Sequence, residues 1–424
     1  MFKKRIFIVF LFMFLIGLSE NEVFSRDLTL EQAVDMAFEN NIDWIISKKN
    51  IESKILQKKI SKGDLYPKLS VSSSYSRNDG DGRRYSNSVS LRQDIYNRRN
   101  FTLLKRTDMY IHHAKYSDLK IKNELVLEVK RAFYSILELK ALAVVFEDAV
   151  KREEEQLKYA ENLFRLNKVI KTDVLRAEIS LEKAKQNLST KYNGIKSAKM
   201  LLNNVLGIAL EEEFNYVPES NLKEDIKKIV EGRILVHENI SGVLRNRPEL
   251  KIKDKEIEIA EENITLSRDG YFPVVSGSGS YGWSGDELSF DDGSWQAGIN
   301  LSWTLFDGNV RRNEVLQSKL EKNKIEDEQK KLTDAVVFEI KKIYLDIEDA
   351  LSLIKIFSRS LEIAEQNYEL VKNQYQNGLV SNLNVIDAES VYTGAEIDLL
   401  NAYYNYKIKL AELDKATGKN LPEK

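Results

Sequence analysis

The sequence predicts a mainly α chain with a small membrane β-portion, built twice over, and three observations carry this. Two apolar seams run in alternating steps of three and four. One passes from Val129 through Ile136, Ala143, Val150 and Leu157 to Phe164; the other passes from Ile340 through Ile347, Ile354 and Leu361 to Tyr375. A mean period of 3.5 marks helices that supercoil against a partner. Adding 211 to each position of the first seam gives the second, so the two halves are repeats. Glu153 alone breaks the apolar pattern. Each half also carries two short runs of alternating apolar and polar residues, which read as strands.

Taken in order, Lys3, Lys4 and Arg5 precede an apolar run over residues 6–18. That run is too short to span a bilayer comfortably, so residues 1–25 read as a secretory signal peptide. Thr29 and Gln32 form a capping box that opens one helix to about Asp64, where Tyr66-Pro67 ends it. Strands follow over 69–75 and 85–95, around a turn-rich loop containing Asp79-Gly80-Asp81-Gly82. A long helix over 100–165 breaks near Asn167 and returns to about Val205. In the second half, Pro248 begins a helix that ends at Tyr271-Phe272-Pro273. Strands over 275–281 and 295–305 come next. The second long helix starts at Asn309, breaks at Asn377-Gly378 and returns to about Ala416. Its first arm would be about 100 Å long at 1.5 Å per residue, far beyond the needs of a compact domain. The organisation is a first repeat over 26–207, an equatorial connection over 208–246, a second repeat over 247–418 and a tail over 419–424.

The strand over 295–305 is the clearest. Trp295, Ala297, Ile299, Leu301, Trp303 and Leu305 alternate with Gln296, Gly298, Asn300, Ser302 and Thr304. An apolar outer face, a small polar inner face and tryptophans near both ends fit the wall of a membrane β-barrel. Trp295, Ile299, Leu301 and Trp303 then face lipid. Four strands cannot close a barrel, and an open edge cannot survive in lipid, so copies of the chain must share one barrel.

Composition narrows the function. Charged residues make up 31% of the chain, yet the net charge is −2 and the charges are interspersed, which points away from nucleic acid. The absence of cysteine excludes thiol catalysis, disulfides, thiolate metal sites and a lipid-modified cysteine. His112, His113 and His237 lack ligand spacing and read as solvated. Gly277-Ser-Gly-Ser-Tyr-Gly282 spells a dinucleotide fingerprint but sits in a strand with no helix after it. No nucleophile or paired-acid constellation supports an enzyme, and no cofactor or metal is expected. Arg98-Arg99 and Arg311-Arg312 follow the strands, either at lipid headgroups or as solvated helix starts.

The arrangement resembles the TolC-type outer-membrane efflux proteins. The carrying residues are Leu28-Thr-Leu-Glu-Gln-Ala33, the Tyr66-Pro67 and Phe272-Pro273 junctions, Thr172-Asp-Val-Leu-Arg-Ala177, Asn384-Val-Ile-Asp-Ala388, Leu206-Gly207 and Thr417-Gly418. The resemblance covers nearly all of the chain after the signal. It implies a homotrimer, with twelve strands in one β-barrel in the outer membrane and the helical hairpins forming an α-barrel across the periplasm. It also implies a periplasmic adaptor and an inner-membrane transporter as partners, and a passive exit duct for small molecules as the function. The exit duct of a type I protein-secretion system is the alternative within this design. A non-pore periplasmic coiled-coil spacer or adhesin is a different class, disfavoured because its strands would have no purpose.

By the same resemblance, the adaptor meets the tips at Asn167, Lys168 and Val169, and at Asn377, Gly378, Leu379 and Val380. A tip gate would involve Thr172, Asp173 and Tyr375. The family's arginine there falls on Val380, so a latch on Asp173 is a hydrogen bond at most. Asp387 and Asn384 would narrow the pore. Each site has a plainer reading: the tips reverse the chain, Asp173 stabilises the first turn of its helix, and Asp387 is an exposed helix-start aspartate.

Overall fold

The computed structural model describes residues 26–78, 82–232, 244, 246–287 and 293–418. The proposed signal peptide, the loop at 79–81, most of the loop before Ser294, His237 and the tail lie outside them. The elements are β1 (Arg26–Leu28), α1 (Leu30–Asn40), α2 (Ile42–Gly63), β2 (Lys68–Asn78), β3 (Gly82–Tyr96), α3 (Arg98–Arg165) and α4 (Lys171–Leu206). They continue with β4 (Phe214–Tyr216), α5 (Leu222–Val230), α6 (Pro248–Asp269), β5 (Val274–Gly285), β6 (Ser294–Ser302), α7 (Val310–Gln376) and α8 (Asn382–Thr417).

The repeat is almost residue for residue. α2 and α6 have 22 residues each, α4 and α8 have 36 each, and α3 and α7 have 68 and 67. Gly207 and Gly418 end α4 and α8 in the left-handed conformation, at φ 72° and 68°. Gly207 is also required by space, because a Cβ there would stand 2.5 Å from the carbonyl oxygen of Asn40.

Two of the differences from the sequence-based expectation concern the junctions of the helices. The single helix from Thr29 to Asp64 is two helices. Asn41 interrupts it, accepting from the Trp44 amide at 3.0 Å and donating to the Val205 carbonyl at 2.8 Å. It thereby caps α2 while tying the helix start to the end of α4. The last strand stops at Ser302, not Leu305. The Trp303 indole N–H donates to the Tyr271 carbonyl at 3.0 Å, so Trp303 fastens the strand-to-helix junction instead of extending the ladder.

The core sits at the waist. Leu125 to Leu137 of α3 and Val336 to Ile354 of α7 meet the ends of α4 and α8 there, with α1, β1, β4 and Ile229 of α5 closing the layer. β1 pairs in parallel with β4, a pairing invisible to periodicity because each strand has three residues. Burial of this seam drives the assembly of the two hairpins, at roughly 1.5–3 kcal/mol per large aliphatic side chain.

The remaining strands form one sheet in the order β2-β3-β5-β6, antiparallel throughout. The register gathers the apolar pairs on one face: Leu69 opposite Leu91, Val71 opposite Val89, Val89 opposite Tyr281, and Val275 opposite Leu301. Serines line the other face, where Ser70 and Ser90 share a hydrogen bond of 2.7 Å. The Gly277–Gly282 run lies wholly inside β5. The apolar face is bare: Trp295 is 78% exposed, Ile299 77%, Leu301 62% and Trp303 56%. No helix among the described residues is long and apolar enough to cross a membrane.

One arginine of each pair after the strands is held in the fold, Arg98 and Arg311, while Arg99 and Arg312 are exposed. Arg98 pairs with the fully buried Asp269 at 2.9 Å and stacks on Phe272. Arg311 pairs with Asp307, donates to the Gly270 carbonyl at 2.7 Å and stacks on Tyr271. Both lock a helix to a sheet junction. His113 likewise is half-buried and faces Glu256 at 3.5 Å.

Candidate functional site at the hairpin tips

Both tips are built by one backbone device. α3 ends at Arg165; Lys168 N–H bonds to the Leu163 carbonyl and Asn167 N–H to that of Phe164, each at 2.9 Å. At the second tip, Leu379 N–H bonds to Gln374 and Gly378 N–H to Tyr375, again at 2.9 Å. These are paired Schellman bonds, which need a left-handed residue at the turn. Asn167 supplies it at φ 55° and Gly378 at 74°. Asparagine holds this conformation because its short polar side chain tolerates it. Asn167, Lys168, Asn377, Gly378 and Leu379 are exposed, Leu379 by 74%. Val169 is half-buried, and Thr172 is exposed.

Val380 packs into an apolar cluster with Tyr368, Tyr375, Val385 and Ala388, joined by Tyr159 and Leu163 from the first hairpin. The position that would hold an arginine therefore closes a hydrophobic joint. Tyr375 and Asp173 are brought near each other without bonding. The Tyr375 hydroxyl is buried and has no hydrogen-bond partner among the described residues. Burial first, and the Asp173 charge second, push it up to about 12.

The bond that crosses between the hairpins uses the Asp173 backbone instead. Asn382, only 1% exposed, donates to the Asp173 carbonyl at 3.0 Å and accepts from Gln156. Tyr159 adds a hydroxyl bond to the Gln376 carbonyl at 3.1 Å and an edge-on ring contact with Tyr375. Sequence reasoning missed Asn382, because an asparagine at the start of a helix reads as a cap. Its burial shows only in three dimensions.

One turn further from the tip, Arg152 of α3 binds Glu389 at 3.1 Å, Thr393 at 2.7 Å and Glu396 at 3.4 Å, and stacks on Tyr392. Beside it stands Glu153, the seam's exception. It is 5% exposed, so the polar residue keeps a core position. Burial, reinforced by the neighbouring Glu389 carboxyl, raises Glu153 to about 8. The misfit in the heptad was the available signal for this cluster.

Asn384 and Asp387 lie three residues apart on one exposed face at the start of α8. The Asn384 side-chain oxygen accepts from the Ser381 amide at 3.1 Å and its hydroxyl at 2.7 Å, so it also secures the helix start. Among the described residues, no group of acidic or histidine side chains is arranged to hold a metal.

The sequence profile of the family described as Outer membrane efflux protein matches residues 34–207 and 239–419. The probable efflux pump outer membrane protein TtgC of Pseudomonas putida KT2440 is 21% identical over 422 residues, covering 93% of this chain and 84% of its own. Outer membrane protein TolC of Escherichia coli K12 is 22% identical over 387 residues, covering 84% and 76%. The solved structure of CusC superposes with a TM-score of 0.80 at 16% identity, covering 93% of each chain. The chain belongs to the outer membrane efflux protein family, as an outer-membrane channel protein whose helices extend into the periplasm.

Proposed function

We propose that three copies form one duct, the passive exit of a tripartite efflux system. An inner-membrane transporter would supply the energy and a periplasmic adaptor would join the two. The observation that carries this is the four-stranded sheet with one bare apolar face and two unpaired edges, β2 and β6. In lipid those edges must be paired, and three copies supply twelve strands. The domain reading is a repeat over 26–207 and another over 247–418, joined by an equatorial segment over 208–246. The chain acts as a channel, with no catalytic residue and no cofactor.

The tips are the adaptor surface in this reading. The tips gather exposed apolar side chains among charged neighbours, Leu166 and Ile170 at one and Leu379 at the other, which supports it. Asn167, Lys168 and Val169 would meet the adaptor at one tip, and Asn377, Gly378 and Leu379 at the other. Val380 would shape the joint from within. Asp173, Thr172 and Tyr375 would form the gate region, and Asp387 and Asn384 the narrowest ring. That relatives such as TtgC serve efflux pumps supports small molecules as the cargo.

The test is fractionation followed by electrical recording. The chain should sediment with outer membrane, and purified trimers should give single-channel steps in planar bilayers. Recovery as a non-conducting soluble periplasmic protein would overturn the reading.

A further inference from the structure

The waist holds a hollow whose residues are separate from the tips and from Asp387. Its volume is about 420 Å³, and it opens between α3, α8 and the chain that leads from β4 into α5. Four tyrosines wall it: Tyr134 from α3, Tyr216 from β4, and Tyr403 and Tyr404 from α8. Leu137, Val144 and Pro218 add apolar surface, and two lysines, Lys140 and Lys407, join the lining. The size lies at the low end for small-molecule sites, and an apolar, aromatic wall with a few polar groups is their usual make-up.

The polar groups fall into two sets. One set satisfies itself. Tyr134 donates to Glu219 at 3.0 Å, Tyr403 donates to Asp225 at 2.8 Å, and Lys407 lies within 4.0 Å of both carboxylates. The other set is left over. Lys140 is half-buried, and among the described residues no carboxylate forms an ion pair with it. The acid whose charge reaches it, Glu213, is already paired with Lys199. The Lys140 ammonium lies instead over the Tyr216 ring, 5.4 Å from its centre. Tyr216 is 3% exposed, and its buried hydroxyl has no hydrogen-bond partner among the described residues. Buried polar groups are as a rule paired, so a leftover hydroxyl beside a leftover cation points to something that both would bind.

We infer that this hollow binds a small aromatic carboxylate, its carboxylate held by the Lys140 ammonium and the Tyr216 hydroxyl and its ring set among the tyrosines. One unmatched cation suits a monoanion. A second charge, as on a phosphate, would find no partner, because Lys407 is matched by Glu219 and Asp225. Tyrosine walls favour a flat ring over an aliphatic chain, through the edge-to-face contact that Tyr403 and Tyr404 already make at 5.2 Å. The Tyr216 hydroxyl is protonated and able to donate, since burial first and Glu213 second push it up to about 12. Burial first and Lys199 second hold Lys140 below the usual lysine value, and a carboxylate partner would relieve both.

The chain in lipid nanodiscs should bind 2-naphthoate saturably in equilibrium dialysis, beyond the uptake of empty discs. Tyr216→Phe removes only a hydroxyl that has no partner in the fold. Its melting temperature should match the wild type, while its affinity for 2-naphthoate should fall by roughly three- to tenfold, the loss of one hydrogen bond. Lys140→Met keeps an apolar stem over the ring and should weaken binding by about tenfold or more, because the lost bond is charge-assisted. 2-Naphthylmethylammonium, the same ring carrying a cation, should not compete. Absence of saturable binding by the wild type, affinity unchanged in both variants, or full competition by the ammonium would each overturn the assignment. The duct is tested apart from this, by conductance.

Discussion

Two buried polar side chains near the tips set the local chemistry. Asn382 satisfies the Asp173 carbonyl and Gln156 together. Removing it strands both partners, at roughly 1–3 kcal/mol for each unsatisfied buried group. Asn382→Ala should therefore speed amide hydrogen exchange across both tips. Asp173→Asn should leave it unchanged, because the bond uses the backbone oxygen. Equal acceleration in both variants would return the latch to the Asp173 carboxylate. A motif match reads side chains, and this link ends on a carbonyl, so sequence pointed to Asp173 for the wrong atom. Glu153 titrates in a setting that Arg152, Glu389, Glu396 and the Tyr368 ring define. Its folded value of about 8 is above the ordinary 4.5. The neutral form is thus the one the fold accepts. Its contribution to stability is full below the ordinary value and is lost as pH rises towards about 8. The melting temperature of the wild type should fall across that window, and Glu153→Gln should flatten the fall. An unchanged pH slope in the variant would place the dependence elsewhere.

At the scale of elements, legibility followed periodicity. The seams and the strand faces were readable because each repeats a spacing many times. Asn41 was not, since helical residues flank it on both sides and only the Val205 carbonyl, 164 residues away, makes a break favourable. The end of β6 was also hidden. Alternation runs on through Leu305, but Trp303 is drawn to Tyr271 at the junction. Within the strand the two faces make opposite demands. Ile299→Arg would put a charge on the apolar face, at about 2–4 kcal/mol near mid-bilayer. Outer-membrane insertion of that variant should drop sharply. Ser302→Arg, on the serine face, should insert normally. Equal insertion of the two would remove the face assignment.

The whole molecule is one unit duplicated, and in the proposed trimer its function is expressed around an axis that a single chain does not contain. That is why the fold was readable from sequence while the site was only partly so: the repeat is internal, whereas a pore is made between copies. The start of α8 shows the difference. Asn384 and Asp387 share an exposed face, and within one chain they do little beyond the bonds from Ser381 to Asn384. In the proposed trimer, Asp387 would form a ring of three carboxylates. At about 8 Å apart in water each pair would repel by only ~0.5 kcal/mol, a small penalty for a ring that would attract cations. Both positions can be changed with the fold kept. Asp387 is exposed, and an aspartate at 384 would still accept the Ser381 bonds. Asp387→Ala should lower cation selectivity and weaken block by multivalent cations in planar bilayers, and Asn384→Asp should strengthen both. Unchanged selectivity and block in both variants, with trimers intact, would take Asp387 out of the pore.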